Sequence, residues 1–192
     1  MIDLKGPWVQ GFAFDVHTLD SVPDGTYSNG RTRFNTTRSQ MGELVYQIKY
    51  NHNLALVDDV LRILQNSEDF QNYIKNIDAF LIVPPSNRFR PFQPVFEITK
   101  KMAEVFNKPF LFNVLETTNV EQIKNIDAND KYSKIKNTMV IFKQFLSVDK
   151  NYLIVDDVFD SGSTLRAYVD SLKENGYNNI FIFTLTKTRV PD

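Results

Sequence analysis

Apolar positions recur with two different periods along this chain, and the periods divide it into elements. Residues 8–16, WVQGFAFDV, are rich in aromatic and β-branched types and predict a strand. Pro23, Gly25, Asn29 and Gly30 break the next stretch, so 20–37 reads as a loop or hairpin. Met41, Leu44, Val45 and Ile48 then follow the i, i+3, i+4, i+7 spacing of an amphipathic helix over 39–50. Leu56, Val57, Val60, Leu61 and Leu64 predict a second helix over 54–66.

From there strands and helices alternate. AFLIVPP (79–85) is an apolar strand stopped by two prolines, and Val95, Ile98, Met102 and Val105 mark a helix. PFLFNVL (109–115) predicts the next strand, whereas 116–137 is polar and lysine-rich with no convincing period. YLIVDDV predicts a strand and Leu165, Tyr168, Val169 and Leu172 a helix that stops at Gly176; NIFIFTLTK (179–187) closes the series. Continuous apolar strands separated by helices imply a mostly parallel sheet covered on both faces. Ligands of such sheets lie beyond the carboxyl ends of the strands, which is where Asp156 and Asp157 fall.

Composition narrows the classes. With 192 residues and 42% hydrophobic content, one globular domain is expected. The net charge of −1 gives no global electrostatic case for nucleic acid, although a local basic groove is compatible with it. The absence of cysteine excludes disulfides, thiolate zinc sites and a cysteine nucleophile. The N-terminus MIDLKGPWVQ lacks the basic start and apolar core of a signal peptide, and no apolar run reaches the length of a membrane span. A soluble cytoplasmic protein without a membrane partner is expected.

The stretch YLIVDDVFDSGSTL (152–165) concentrates the chemistry. After the strand, Asp160, Ser161, Gly162, Ser163 and Thr164 supply consecutive backbone N–H groups, three hydroxyls and a glycine without Cβ. The helix that follows points its positive dipole end at the same place, which makes an anion site suited to a phosphate monoester. Like charge keeps the carboxylates of Asp156 and Asp157 from facing that phosphate. They suit neighbouring hydroxyls, or Mg²⁺ held through water. A sugar with a 5-phosphate and a vicinal diol satisfies both halves. The plainer alternative is a solvated turn with an N-cap, which needs one such residue rather than five.

These residues resemble the binding signature of type I phosphoribosyltransferases: a hydrophobic strand, an acidic pair, a short linker and a Thr/Ser-Gly-x-Thr turn. The resemblance implies an α/β fold of that type, a mostly parallel sheet flanked by helices, with a variable hood that chooses the acceptor. It makes Asp156 and Asp157 the binders of the ribose hydroxyls of phosphoribosyl pyrophosphate (PRPP), and residues 160–164 the phosphate loop. Mg²⁺ is the implied cofactor, held at Asp156 and Asp157 through ligand or water. Within the family, the chain looks like the ComF-type branch associated with DNA uptake. GELVYQIKYN (42–51) and IVPPSNRFRPFQP (82–94) are close to that branch's segments, with Pro91 in place of the usual glycine and Pro94 after the glutamine. Arg88 and Arg90 then occupy the pyrophosphate-binding positions, for which guanidinium forks are suited. KIKNTMVIF (134–142) places Lys134 where the branch often has arginine, in the region of a mobile loop that closes over the site. Lys124, Lys131, Lys134 and Lys136 would shield pyrophosphate charge there, if they are not merely solvated.

Residues 1–40 are expected to form the hood and 41–192 the core. The four-cysteine zinc module of many relatives has no counterpart here. His17, a lone histidine beside a strand, is more simply structural than catalytic. Arg31, Arg33 and Arg38 with Thr36, Thr37 and Ser39 form a cluster suited to an anionic acceptor or partner. Asp160 stands where purine-salvage members carry an aspartate that contacts the acceptor base, so it is the candidate general base, with N-capping as the alternative. The expected activity is transfer of phosphoribosyl from PRPP to a nitrogen acceptor, a nucleobase or an amine, with release of pyrophosphate. The alternatives are a non-catalytic PRPP or nucleotide binder with a regulatory or competence-like role, and an interaction module that keeps the fold. A homodimer is compatible with either.

Overall fold

The computed structural model describes residues 1–85, 92–117 and 128–189, with the backbone alone for Ala128, Asn129 and Lys131. Its centre is a five-stranded sheet ordered β1 (Ile2–Asp3), β2 (Gln10–Val16), β9 (Ile180–Lys187), β8 (Tyr152–Phe159) and β5 (Ala79–Ile82). β2, β9, β8 and β5 run parallel, and only the two-residue edge strand β1 is antiparallel.

The alternation of side chains along each strand explains why these segments are apolar throughout. Tyr152 and Ile154 of β8 point to one face, together with Ile180 and Ile182 of β9. That face is covered by α6 (Ser163–Glu174) and by Ile135 of α5 (Ala128–Thr138). Leu153 and Val155 point to the other face, with Phe183 and Leu185. There α1 (Gln40–Tyr50), α2 (Val57–Gln65), α3 (Glu68–Ile74) and α4 (Pro94–Val105) bury Ile48, Leu64, Phe70 and Met102. The expected architecture, a mostly parallel sheet between helical layers, is the one found.

Several elements differ in detail from the expectation, α3 among them, since no period marks it in the sequence. The strand over 109–115 is reduced to a single parallel bridge between Phe110 and Phe80. It lies at the open side of β5, where Phe110 and Phe112 pack on Phe96 rather than between two ladders. Leu115–Thr117 instead form β6, paired antiparallel with β7 (Met139–Ile141). The lysine-rich segment, read as irregular, contains the helix α5; Tyr132 Oη donates to Asp170 on α6 at 2.7 Å.

The N-terminal region divides between two places. Residues of β1 and β2 belong to the central sheet, whereas β3 (Thr18–Thr26) and β4 (Thr32–Arg38) pair as a hairpin outside it. α1 joins the two: Ser39 caps it by accepting from Gly42 N at 3.0 Å and donates to Val16 O. Gly42 sits so close to the His17 carbonyl that a Cβ would lie 2.1 Å from its oxygen.

Candidate functional site

β8 ends at Phe159 and α6 begins at Ser163, so the turn between them is as short as the motif required. Gly162 makes it possible: its φ is +73°, a left-handed conformation costly for a side chain, and a Cβ there would meet the Phe159 ring at 2.6 Å. The first N–H groups of α6 have no partner within the helix and open on this turn. Ser161 Oγ lies 3.0 Å from Ser163 Oγ, which links the two hydroxyls across the loop.

The turn forms one wall of a cavity of about 600 Å³. Asp156, Asp157, Asp160, Ser161, Gly162, Ser163 and Thr164 all line it. The cleft therefore gathers every residue expected of the diol and phosphate halves. Its other walls come from Pro84 and Pro85 beyond β5, from Pro94 and Phe96 at the start of α4, and from Phe112 and Ile135.

Being consecutive in a strand, Asp156 and Asp157 leave it towards opposite faces. Asp156 Oδ1 accepts from the Asp157 N–H at 2.9 Å. Asp157 turns to the α1 side, where its Oδ2 meets Lys49 Nζ at 2.6 Å; the two side chains are only 13% and 20% exposed. Burial acts against the charge on Lys49, but the Asp157 carboxylate outweighs it through its own charge and hydrogen bond. The ammonium is held above the usual lysine range. Lys49 and Tyr50 line the cleft as well. A lysine in this role was not expected, because nothing in the spacing of Lys49 and Asp157 announces their contact.

Behind the pair stands a second polar layer. Thr186 Oγ1 donates to the Asp157 carbonyl at 3.2 Å and lies 3.1 Å from His17 Nδ1. Burial first, and then the charges of Arg38 and Lys49, hold the His17 imidazole below its ordinary pKa against the pull of Asp157 and Glu43. His17 thus belongs to the scaffold beneath the acid pair and is not among the residues lining the cleft. Asp160 is exposed, and its Oδ1 accepts from Thr188 Oγ1 at 3.1 Å.

The remaining candidates are dispersed. Arg88, Arg90 and Lys124 lie outside the described residues, as does the side chain of Lys131. Lys134 is half-buried on α5 and does not line the cleft, although its neighbour Ile135 does. Lys136 pairs with Glu174 at 2.5 Å. Of the hairpin cluster, Arg33 pairs with Asp24 and Arg38 with Glu43, Arg38 also lying 3.6 Å from the centre of the Tyr46 ring.

Among the described residues no group of three His, Cys, Asp or Glu side chains could hold a metal ion. A paired carboxylate beside an anion loop suits instead a divalent ion that arrives on a phosphorylated ligand, since Mg²⁺ keeps its waters and takes one or two carboxylates plus phosphate oxygens. No described helix is long and apolar enough to cross a membrane.

The fold and cleft define an α/β protein with an acid pair and a glycine turn in one cleft at the carboxyl edge of a parallel sheet. No protein-family model matches the sequence, and no curated protein does. Solved structures similar to the chain include adenine phosphoribosyltransferase from Thermoanaerobacter pseudethanolicus, at 12% identity and a TM-score of 0.46 over 88% of this chain and 95% of that one. Adenine phosphoribosyltransferase from Giardia lamblia, solved with 9-deazaadenine, is similar at 13% identity and a TM-score of 0.46 over 89% and 94%. Orotate phosphoribosyltransferase from Aeropyrum pernix is similar at 14% identity and a TM-score of 0.43 over 87% and 75%.

Proposed function

We propose that the chain binds PRPP with Mg²⁺ and transfers its phosphoribosyl group to a nitrogen acceptor. The observation that carries this reading is the single cleft in which Asp156 and Asp157 stand beside the 160–164 turn at the start of α6. The turn takes the 5-phosphate on backbone N–H groups and hydroxyls, and the carboxylates take the ribose hydroxyls. The acceptor nitrogen forms a bond to the anomeric carbon as the bond to pyrophosphate breaks, and the pyrophosphate leaves with the electron pair. Asp160 takes the proton from the acceptor nitrogen. Arg88 and Arg90 are the proposed pyrophosphate contacts, and Lys134, beside Ile135 on α5 but outside the cleft lining, is the third candidate. When bound, Mg²⁺ supplies charge neutralisation at the leaving group, with Asp156 and Asp157 reaching it through ligand or water.

PRPP with Mg²⁺ is expected to raise the melting temperature, because it binds the folded state alone. Asp156→Asn combined with Asp157→Asn should fold and lose that shift, since charge-assisted hydrogen bonds are each worth about 1.5–3 kcal/mol. No shift at millimolar PRPP in the wild type refutes the assignment.

A second reading, PRPP binding without turnover in a regulatory or ComF-type role, draws on the Thr188 hydrogen bond to Asp160. That bond already gives the carboxylate a structural use. Asp160→Asn separates the two. A general base lost there lowers turnover by about 10²–10⁴-fold while PRPP still binds. A purely structural Asp160 leaves any turnover near the wild-type rate, and a sensor releases no pyrophosphate in either form.

A further inference from the structure

We propose that Lys49 is the built-in counter-cation of the diol clamp, so that the ribose end of the site binds without a divalent ion. The inference rests on the sugar-phosphate reading of the cleft and assigns a positioning residue within it.

Two adjacent carboxylates at the mouth of a cleft repel each other and repel a phosphorylated ligand, so such pairs call for a cation. Here the chain supplies one. Lys49 Nζ lies 2.6 Å from Asp157 Oδ2, and both groups are largely shielded from water. The ammonium approaches from α1, on the face of the sheet opposite the Ile154 side, and reaches the cleft beside Tyr50. It fixes the Asp157 carboxylate in one orientation and brings the formal charge from −2 for the Asp156–Asp157 pair to −1 for the three groups together. A ligand hydroxyl can then donate to Asp157 without a metal bridging the two. An ammonium has three donors, so the same group can also meet a ribose oxygen while it holds the carboxylate. Divalent ions are left to the pyrophosphate end of the ligand.

Ribose 5-phosphate isolates the question because it lacks the pyrophosphate. Its affinity is measured by calorimetric titration of the wild type, Lys49→Met and Lys49→Arg, each in EDTA and in excess Mg²⁺. Wild type and Lys49→Arg are expected to change by less than about threefold between the two buffers. Lys49→Met is expected to lose about tenfold or more in EDTA, the value of one charge-assisted contact, and to regain part of it in Mg²⁺. A purely structural lysine would lower the melting temperature and leave the ratio between buffers unchanged, which overturns the proposal. The wild type needs no variant to decide the matter. Binding that strengthens more than threefold with Mg²⁺ removes the role of Lys49 and leaves the sugar-phosphate site standing. No binding in either buffer overturns both.

Discussion

The carboxyl edge of β8 and the β3–β4 hairpin are built on opposite plans. The first four residues of β8 are buried on both faces, so two cores fix where Asp156 and Asp157 emerge. The hairpin has almost no buried residue, with Phe34 52% and Tyr27 54% exposed. It is held by its own ladder, by the Arg33–Asp24 pair and by ties at its base, Arg38 to Glu43 among them. His17 N donates to Lys187 O at 2.7 Å, and Arg189 to Leu19 O at 3.0 Å. Two-stranded hairpins are marginal by themselves in water. Packing thus gives the acid pair its precise placement, while polar pairs give the hairpin only its register.

Substitutions test that contrast. The largest effect is expected at Leu153, which is fully buried one residue into β8. Leu153→Ala should cost about 2–5 kcal/mol in denaturant unfolding. A loss within the range of surface positions would mean that β8 is not the rigid half. Gly162→Ala should cost about 1–2 kcal/mol from its left-handed backbone alone, and displacing the Phe159 ring should weaken phosphate-ligand binding as well. An alanine variant as stable and as tight as the wild type would show that the turn has slack.

At the junction of the two regions, His17 adds a pH dependence. Its folded pKa lies below the ordinary value, so its contribution to stability is present above about pH 6.5 and is lost as pH falls through the folded value. Unfolding midpoints between pH 7 and 5 should therefore fall more steeply in the wild type than in His17→Gln. Parallel slopes would place His17 outside the scaffold. The smallest effect belongs to the hairpin itself. Phe34→Ser should stay within about 0.5 kcal/mol of the wild type. A larger loss would show that this exposed ring is anchored after all.

Much of the candidate site was legible because it is local. The apolar run of β8, the acid pair and the glycine turn are contiguous, and each has one straightforward conformation. Three other features were hidden for physical reasons. α3 has only Phe70 and Ile74 buried, too few positions to display a period. α5 is polar on most sides and holds to α6 through Tyr132–Asp170 and Lys136–Glu174, contacts between segments far apart in the chain. The apolar run at 109–115 resembled a buried strand because it is largely apolar, yet Phe110 and the exposed Phe112 make ring contacts with Phe96 of α4 and only Val114 and Leu115 are buried. An apolar run against a helix and a cleft reads in sequence like one in a sheet. Lys49 belongs with these, since half of a long-range ion pair carries no local signature.

The attachment of α1 at both ends fixes its length. Near its start, Gly42 is pressed against the His17 carbonyl, and near its finish Lys49 is bonded to Asp157. One residue inserted between them would turn the far end by about 100° and advance it by about 1.5 Å. The ammonium would then swing off the carboxylate it holds. The number of residues from Gly42 to Lys49 is therefore set, and a natural or engineered insertion there would register as a broken gauge between hairpin and acid pair.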